Sequence, residues 1–297
     1  MKLSIKNLSK TYANGTQALK NVSLEIATGM FGLLGPNGAG KSTLMRTIAT
    51  LQDADSGSIF LDNLDVLRQK DEVRKVLGYL PQEFGVYPKI SAETLLDHFA
   101  VLKGISNSKE RKAVVEALLQ QTNLWEHRKK NLGGYSGGMK QRFGIAQALL
   151  GNPHLIIVDE PTAGLDPAER NRFHNLLSEI GEHVIVILST HIVEDVSDLC
   201  SNMAIINKGE VLAAGNPLEL VAEMKGQIWQ KLINKTELAD YQNNLYVIST
   251  RLHAGKLNIR VNSDLRPDAS FTSVEPNLED VYFSNITNST VTKIVSA

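Results

Sequence analysis

Cysteine is nearly absent from this sequence: Cys200 is the single one among 297 residues. One cysteine excludes an internal disulfide framework and a cysteine-based zinc site, and it indicates a reducing compartment. Long apolar runs are absent too, because the longest candidate, residues 184–188, is far shorter than the ~18–20 apolar residues of a membrane-spanning helix. The N-terminal residues carry charge too early for a signal peptide. We therefore expect a soluble, cytoplasmic protein.

An excess of charge of one sign is also lacking. Lys and Arg number 31 and Asp and Glu number 32, so the net charge is -1. This balance provides no general basic surface for nucleic acid or anionic lipid, and we expect no nucleic-acid partner. The hydrophobic fraction of 42% is enough for a core and excludes a disordered chain. At ~150 residues per domain, the length indicates roughly two domains.

Alternating and continuous apolar stretches predict strands. Val22, Leu24 and Ile26 alternate with polar residues. Residues 155–158 and 184–188 are apolar throughout, which is typical of strands buried on both faces. The order of strands and helices indicates an α/β layered core. Further predicted elements are a strand over residues 29–34, a helix over about residues 41–51, a helix that begins at Asp166-Pro167 and ends at Gly181, and a hairpin around residues 207–209.

A helical insertion is predicted over about residues 91–150. Apolar residues recur there with the period of a helix, for example Val114, Ala117, Leu118 and Gln121 after the cap candidate Ser108. This region interrupts the strand pattern of the core.

Beyond about residue 226 the pattern changes again. Residues 245–252 and 256–261 indicate two strands, and a last short helix begins within residues 276–280. We therefore expect a nucleotide-binding domain over residues 1–225 and a small α+β appendage over residues 226–297.

A glycine-rich segment follows the second predicted strand. It matches the phosphate-loop pattern G-x-x-x-x-G-K-[ST], in which consecutive backbone N–H groups converge on phosphate oxygens and side chains must be small. Lys41 then adds a charge between the β- and γ-phosphates, and the Ser42 hydroxyl ligates Mg²⁺. A plain glycine turn before a helix is the weaker alternative, because the strand and the helix stand where the chemistry needs them. The predicted contacts are Gly35, Pro36, Asn37, Gly38, Ala39, Gly40, Lys41, Ser42 and Thr43.

Two adjacent carboxylates follow the apolar strand of residues 155–158. An open α/β sheet places its ligands at this edge. We therefore expect Asp159 to hold Mg²⁺ through water and Glu160 to polarise the attacking water as general base. Two acids after a strand are a weak signal alone, but together with the phosphate loop they predict a P-loop nucleotidase.

A third segment indicates the family. Tyr135-Ser136-Gly137-Gly138-Met139 opens a predicted helix, with Ser136 as its cap. Together with Gln82, Ala163-Gly164-Leu165-Asp166 and His191, it closely resembles the ATP-binding cassette of ABC transporters over about residues 1–220. The resemblance implies a P-loop NTPase fold with a mixed β-sheet core and a helical subdomain. It also implies ATP and Mg²⁺ as ligands and an active ATPase.

The resemblance implies roles for single residues as well. Tyr12 matches the aromatic residue that stacks on adenine, Gln82 the glutamine that touches Mg²⁺ or the attacking water, and His191 the switch histidine on the γ-phosphate. The alternatives are packing for Tyr12, a solvated side chain for Gln82 and an ordinary surface or core histidine for His191. The expected catalytic set is Glu160, His191, Gln82 and Lys41, and the expected metal set is Ser42, Gln82 and Asp159.

A second group of matching residues implies a dimer. Ser136, Gly137 and Gly138 match signature residues that contact the γ-phosphate held by the other cassette, and Asp166 matches an aspartate that crosses the dimer interface. We therefore expect a second cassette, identical or paralogous, as a partner. Two positions depart from the commonest signature: Tyr135 stands for leucine, and Met139 stands for glutamine, which removes any hydrogen bond of that amide.

The C-terminal segment indicates the kind of transporter. Glu275-Pro-Asn-Leu-Glu-Asp-Val-Tyr-Phe283 resembles the ending of the appendage on many bacterial export-type ATPases, whereas a small domain that only buries the edge of the cassette is the alternative. We expect an exporter subunit that powers a separate integral membrane permease and is held by it at the inner face of the cell membrane. A soluble ABC ATPase that acts on DNA or ribosomes is the main alternative. The signature segment and His191 contradict a small-molecule P-loop kinase.

We expect the permease to dock beside Gln82. Phe84, Val86 and Tyr87 lie just after Gln82 in a loop that contains glycine and proline. Exposed apolar side chains at this place suit a groove for a cytoplasmic helix of a permease. Ordinary packing between the two subdomains is the alternative.

Overall fold

The computed structural model describes residues 1–82, 85 and 87–294, with side chains up to residue 287. The strands are β1 (Lys2–Thr11), β2 (Gln17–Ala27), β3 (Gly29–Leu34), β4 (Ser56–Leu61), β5 (Leu64–Asp65), β6 (Leu77–Leu80), β7 (Leu155–Asp159), β8 (Ile185–Thr190), β9 (Asn202–Asn207), β10 (Glu210–Gly215), β11 (Ile228–Ile233), β12 (Val247–His253), β13 (Lys256–Asn262) and β14 (Thr272–Ser273). The helices are α1 (Lys41–Ile48), α2 (Lys70–Val76), α3 (Ala92–Leu102), α4 (Ser108–Gln121), α5 (Gly137–Ala148), α6 (Pro167–Gly181), α7 (Val193–Leu199), α8 (Pro217–Ala222), α9 (Leu238–Asn244) and α10 (Leu278–Ile294).

A six-stranded sheet of order β10-β9-β3-β8-β7-β6 carries the core. Its strands run parallel except for β10, which pairs antiparallel with β9 at the edge. A second, antiparallel sheet of order β2-β1-β4-β5 covers one side, where Leu3 and Ile5 of β1 share an apolar cluster with Phe31 and Leu33 of β3. Helices cover the other side, so β7 and β8 are buried along their whole length. The expected mixed-sheet α/β core is confirmed.

Most predicted elements of this core are also confirmed. The two apolar stretches form β7 and β8, residues 29–34 form β3, and the turn at residues 207–209 joins β9 to β10. The carboxylate of Asp166 accepts a hydrogen bond from the backbone N–H of Glu169 at 2.9 Å and caps α6, and Gly181 is the last residue of that helix. The cap residue at the start and the glycine at the end therefore identify the bounds of α6 correctly.

One predicted helix cap is wrong. Asn107, and not Ser108, precedes α4, because its side-chain oxygen accepts hydrogen bonds from the backbone N–H groups of Lys109 at 2.9 Å and Glu110 at 3.1 Å. Ser108 is the first helical residue. Asparagine and serine are about equally good caps, so the adjacent pair does not distinguish the two starts.

The buried face of α4 also differs from the prediction by one position. Val115 and Leu119, four residues apart, are buried in the apolar cluster that joins α3, α4 and α5. Val114 and Leu118 are only half-buried, and Ala117 is exposed. Helices therefore fill this region as expected, while the subdomain bounds of 91 and 150 stay a prediction.

The chain after α8 forms a third sheet, of order β12-β13-β11-β14. The last helix, α10, has 17 residues, so the expectation of a short helix is wrong. Leu278 and Tyr282 of α10 are buried in one apolar cluster with Val196 of α7. This segment thus packs on the core through α10, and the division into domains 1–225 and 226–297 stays a prediction.

The structure bears on two features of the composition, the single cysteine and the lack of long apolar runs. Cys200 is buried beside α7, and its burial raises the pKa of the thiol to about 12, so it behaves as a small apolar side chain. Within the described part of the chain, no helix is both long enough and apolar enough to cross a lipid bilayer.

Candidate nucleotide-binding and hydrolysis site

The glycine-rich loop lies between the end of β3 and the start of α1, as the phosphate-loop chemistry requires. Gly38 and Gly40 have φ angles of +78° and +110°, a region that favours glycine. A Cβ atom on Gly40 would also lie 2.5 Å from the carbonyl oxygen of Ala18, and one on Gly35 would lie 2.3 Å from that of Ile206. The loop therefore tolerates no side chain at Gly35 or Gly40, and residues 36–43 line the adjoining pocket.

That pocket has a volume of about 620 Å³, which is in the range of small-molecule sites. Tyr12 stands at one wall, where its hydroxyl lies 3.1 Å from the Oγ1 atom of Thr43 and 38% of the residue is exposed. The aromatic ring is therefore available for stacking. The pocket is lined by Tyr12, Thr16, Gln17, Ala18, Lys20, Pro36, Asn37, Gly38, Ala39, Gly40, Lys41, Ser42, Thr43, Gln82, Glu160, Lys208 and Gly209.

Lys41 is almost completely buried under the loop. Its ammonium donates hydrogen bonds to the carbonyl oxygens of Gly35 at 2.6 Å and Pro36 at 3.2 Å, and it lies 3.7 Å from Oε1 of Glu160. Burial lowers the pKa of Lys41, and the carboxylates of Glu160 and Asp159 oppose that shift. The ammonium is thus held at the base of the pocket, where phosphate oxygens can replace its carbonyl partners.

Glu160 connects three of the predicted catalytic residues. Its Oε2 atom accepts a hydrogen bond from Nε2 of Gln82 at 3.2 Å and lies 3.2 Å from Nδ1 of His191, while its Oε1 atom faces Lys41. Its φ angle is +47°, which costs a non-glycine residue on the order of 1–3 kcal/mol. Its N–H donates to the carbonyl oxygen of Ser189 at 2.9 Å, so the neighbouring strand holds this backbone in place. The structure brings the expected catalytic set together.

Asp159 is buried at the end of β7 with an unused oxygen. Its Oδ1 atom has no hydrogen-bond partner among the described residues. Burial raises the pKa of this carboxyl, against the influence of the Ser189 hydroxyl, Lys41 and Ser42. A buried carboxylate with a free oxygen beside a serine hydroxyl is a donor set that suits a hard divalent cation.

The signature residues do not join this cluster. Ser136, Gly137 and Asp166 are exposed and are absent from the pocket lining. Ser136 instead caps α5, because its hydroxyl accepts a hydrogen bond from the N–H of Met139 at 3.2 Å. Within one chain, the predicted nucleotide contacts are therefore divided between a pocket and a separate exposed surface.

Packing explains why glycine stands at position 138 and how tyrosine is accommodated at position 135 of the signature segment. A Cβ on Gly138 would lie 2.3 Å from the carboxylate of Glu169, so α5 approaches α6 closely there. Tyr135 is buried, and its hydroxyl donates to the carbonyl oxygen of His127 at 2.9 Å. Tyrosine is therefore accommodated at this position with its hydroxyl satisfied.

Sequence reasoning missed the β9–β10 turn as part of the site. The N–H of Gly209 donates to the carbonyl oxygen of Ala39 at 2.9 Å, and its own carbonyl accepts from the N–H of Lys20 at 2.8 Å. Lys208 and Lys20 line the same pocket. The turn was recognisable as a hairpin, but nothing local in the sequence places it against the phosphate loop.

A phosphate loop, two adjacent carboxylates at the end of a buried strand and a histidine just after the neighbouring strand define a nucleotide-hydrolysing α/β protein. The chain belongs to the ABC transporter ATP-binding family, whose model, described as ABC transporter, matches residues 19–163. The chain is 32% identical to the linearmycin resistance ATP-binding protein LnrL of Bacillus subtilis over 97% of its own length and 99% of that protein. It is 38% identical to the ABC transporter ATP-binding protein NatA of the same organism over 67% of its own length and 82% of that protein.

Solved structures agree with this assignment. A dimeric ATP-binding cassette in a post-hydrolysis state, bound to ADP and Pi, matches with a TM-score of 0.65 and 28% identity over 72% of this chain and 98% of that chain. The cbiO1 subunit from Clostridium perfringens matches with a TM-score of 0.67 and 30% identity over 74% of this chain and 90% of that chain. The protein is therefore an ATP-binding subunit of an ABC transporter and an ATP hydrolase.

Proposed function

We propose that this protein is the energy-supplying subunit of an exporter, which it powers by ATP-driven dimerisation of two cassettes. The observation that carries the proposal is the division of the site: Lys41 and Glu160 line the pocket, whereas Ser136 and Asp166 lie on an exposed surface outside it. A second cassette that presents its Ser136 surface to the pocket would complete the site. The name of LnrL, which aligns along nearly the whole chain, supports a role in drug export.

In this proposal the pocket residues have distinct tasks. The backbone of the glycine-rich loop and Lys41 bind the ATP phosphates, and Tyr12 stacks on the base. Glu160, held by its contacts with Gln82 and His191, accepts a proton from the attacking water. Ser42, Asp159 and Gln82 would hold Mg²⁺, which supplies charge neutralisation on the β- and γ-phosphates when bound. His191 then contacts the γ-phosphate.

Dimerisation is tested with the hydrolysis-deficient variant Glu160→Gln. With Mg-ATP this variant is expected to elute as a dimer in size-exclusion chromatography, and without nucleotide as a monomer. A Cβ on Gly137 meets no atom within 4 Å, so adding Gly137→Arg leaves the monomer undisturbed but places a bulky cation on the proposed interface. The double variant should stay monomeric with ATP. An elution position that ATP does not change at micromolar concentration contradicts the dimer.

A groove between β6 and α3 is the proposed docking place for an integral membrane permease. It has a volume of about 360 Å³, and Tyr79, Phe99 and Leu102 are among its lining residues. Leu102 is 70% exposed, and Tyr87 is 60% exposed on the loop after Gln82. Phe84 and Val86 lie outside the described residues. The permease would hold the protein at the inner face of the membrane and would sense the nucleotide through Gln82.

Docking is tested with Tyr87→Asp. ATP hydrolysis by the isolated protein should stay within about two-fold, as is usual for exposed substitutions. Co-sedimentation with the permease in the membrane fraction should be lost, because a carboxylate would enter an apolar contact. Leu265→Asp is a matched control, since Leu265 is 78% exposed in the C-terminal segment. If Tyr87→Asp co-sediments as the wild type does, the permease does not dock on the loop after Gln82.

A further inference from the structure

A second cluster of polar residues includes neighbours in the chain of Glu160 and His191 and is centred on Asp195 of α7. Asp195 is 0% exposed. Its Oδ2 atom accepts hydrogen bonds from the hydroxyls of Thr162 at 2.7 Å and Thr190 at 3.2 Å. Its Oδ1 atom accepts from the guanidinium of Arg170, at 2.9 Å from Nε, and lies 3.0 Å from Nε2 of His174. Four side chains from other segments therefore converge on one carboxylate.

These four partners belong to the segments that carry the functional residues. Thr162 stands two residues after Glu160, and Thr190 directly precedes His191. Arg170 and His174 lie on the same face of α6, the helix that Asp166 caps. Asp195 is thus bonded to the backbone segments on both sides of the Glu160–His191 contact, and also to the helix that follows the proposed dimer surface.

The carboxylate is suited to hold these segments rigidly. Burial raises the pKa of Asp195, but the hydrogen bonds from His174 and Thr162 and the charge of Arg170 outweigh it and keep the pKa below its usual value. Both oxygens have at least two partners, so the buried charge is satisfied. A satisfied buried network tolerates little relative movement, since every displaced partner leaves a polar group unpaired.

We propose that Asp195 is a positioning residue for ATP hydrolysis. Through Thr162 and Thr190 it fixes Glu160 against His191, and through Arg170 it joins that pair to the segment of Asp166. The inference rests on the proposed role of Glu160 as general base. A purely structural role would hold the fold together without affecting the distance between Oε2 of Glu160 and Nδ1 of His191, which is 3.2 Å.

The test uses the Thr162 hydroxyl, because Thr162→Val keeps the side-chain shape and removes one hydrogen bond. We expect kcat for ATP hydrolysis to fall about tenfold, as when a catalytic group loses its orientation. The KM for ATP should stay within about two-fold, since the pocket lining does not include Thr162. Thr162→Ser restores the hydroxyl and should restore kcat.

Each result has a defined meaning when Glu160→Gln and the melting temperature are measured together with these variants. Wild-type kcat in folded Thr162→Val, with Glu160→Gln inactive, overturns the positioning role alone. Wild-type turnover in Glu160→Gln overturns the base assignment itself. A fall in kcat that serine does not rescue, or that occurs only where the protein melts, indicates a structural role and also overturns the proposal.

Discussion

Asp159 and Asp195 are two buried aspartates close in the chain to Glu160 and His191, and they differ in how they are satisfied. Asp159 directly precedes Glu160 and has one oxygen without a hydrogen-bond partner among the described residues, and burial raises its pKa. Asp195 has both oxygens bonded, and its partners lower its pKa in spite of burial. Asp159 thus keeps an oxygen that a ligand can use, whereas Asp195 is satisfied by its protein partners alone. For this pair, the free oxygen marks the carboxylate proposed to bind Mg²⁺, and full satisfaction marks the carboxylate proposed to position Glu160 and His191.

The difference between Asp159 and Asp195 is tested most directly by replacing each carboxylate with an amide. A lowered pKa means that ionised Asp195 contributes stability above its usual pKa, and that this stability is lost as the pH falls through the folded-state value. At pH 7 we expect Asp195→Asn to lower the free energy of unfolding by about 3 kcal/mol, because Arg170 loses its buried partner. Urea unfolding without nucleotide measures this loss.

For Asp159 the sign is opposite. Its raised pKa means that ionisation of the carboxyl costs stability once the pH exceeds the unfolded-state pKa. Asp159→Asn should therefore raise the melting temperature of the nucleotide-free protein by ~2–4 °C, the change typical of about 1 kcal/mol. It should also impair hydrolysis. Equal destabilisation by Asp159→Asn and Asp195→Asn would contradict the distinction between a ligand-binding aspartate and a positioning aspartate.

Glu160→Gln tests the chemistry of the same site. Turnover should fall by ~10²-fold or more while ATP binding is retained, as expected when a general base is removed. Glu179→Gln, on the exposed face of α6, is the matched control. Steady-state phosphate release measures turnover, and equal rates for Glu160→Gln and wild type would contradict the base assignment.

Lys41→Ala tests the binding of the ATP phosphates. The buried ammonium is the charge that phosphate oxygens are expected to meet, so its removal should weaken ATP binding by about tenfold or more. Isothermal titration with ATP measures the affinity. Lys75→Ala removes an exposed, paired cation and should leave the affinity unchanged. Unchanged affinity in Lys41→Ala would exclude Lys41 from the proposed phosphate contacts.

The smallest effects are expected where α10 meets the third sheet. Arg251 and Glu279 form an exposed ion pair, and Arg251→Ala should cost less than about 1 kcal/mol of the free energy of unfolding. Arg260→Ala should cost more, because its partner Asp280 is 1% exposed and would lose the guanidinium bonded at 2.7 Å. Urea unfolding of the two variants compares them, and a larger loss in Arg251→Ala would reverse this ranking.

The local chemistry of the site was predictable because each motif depends on neighbours in the chain. The phosphate loop needs glycines in sequence, and the Asp159-Glu160 pair needs only the end of an apolar strand. Caps are also local, so Ser136 and Asp166 were identified correctly. The choice between Asn107 and Ser108 failed because two adjacent residues offer nearly equal caps.

The sequence by itself determined the class of protein, since backbone conformation, capping and phosphate chemistry act over a few residues. The tertiary structure decided which of these segments contact each other. The sequence of α10 becomes polar and β-branched in its second half, which is poor helix by propensity, while Leu278 and Tyr282 in its first half pack on the core. Three of the four partners of Asp195, namely Thr162, Arg170 and His174, lie more than 20 residues away in the chain. Such contacts depend on how layers of the fold pack, and no periodicity or motif encodes them locally.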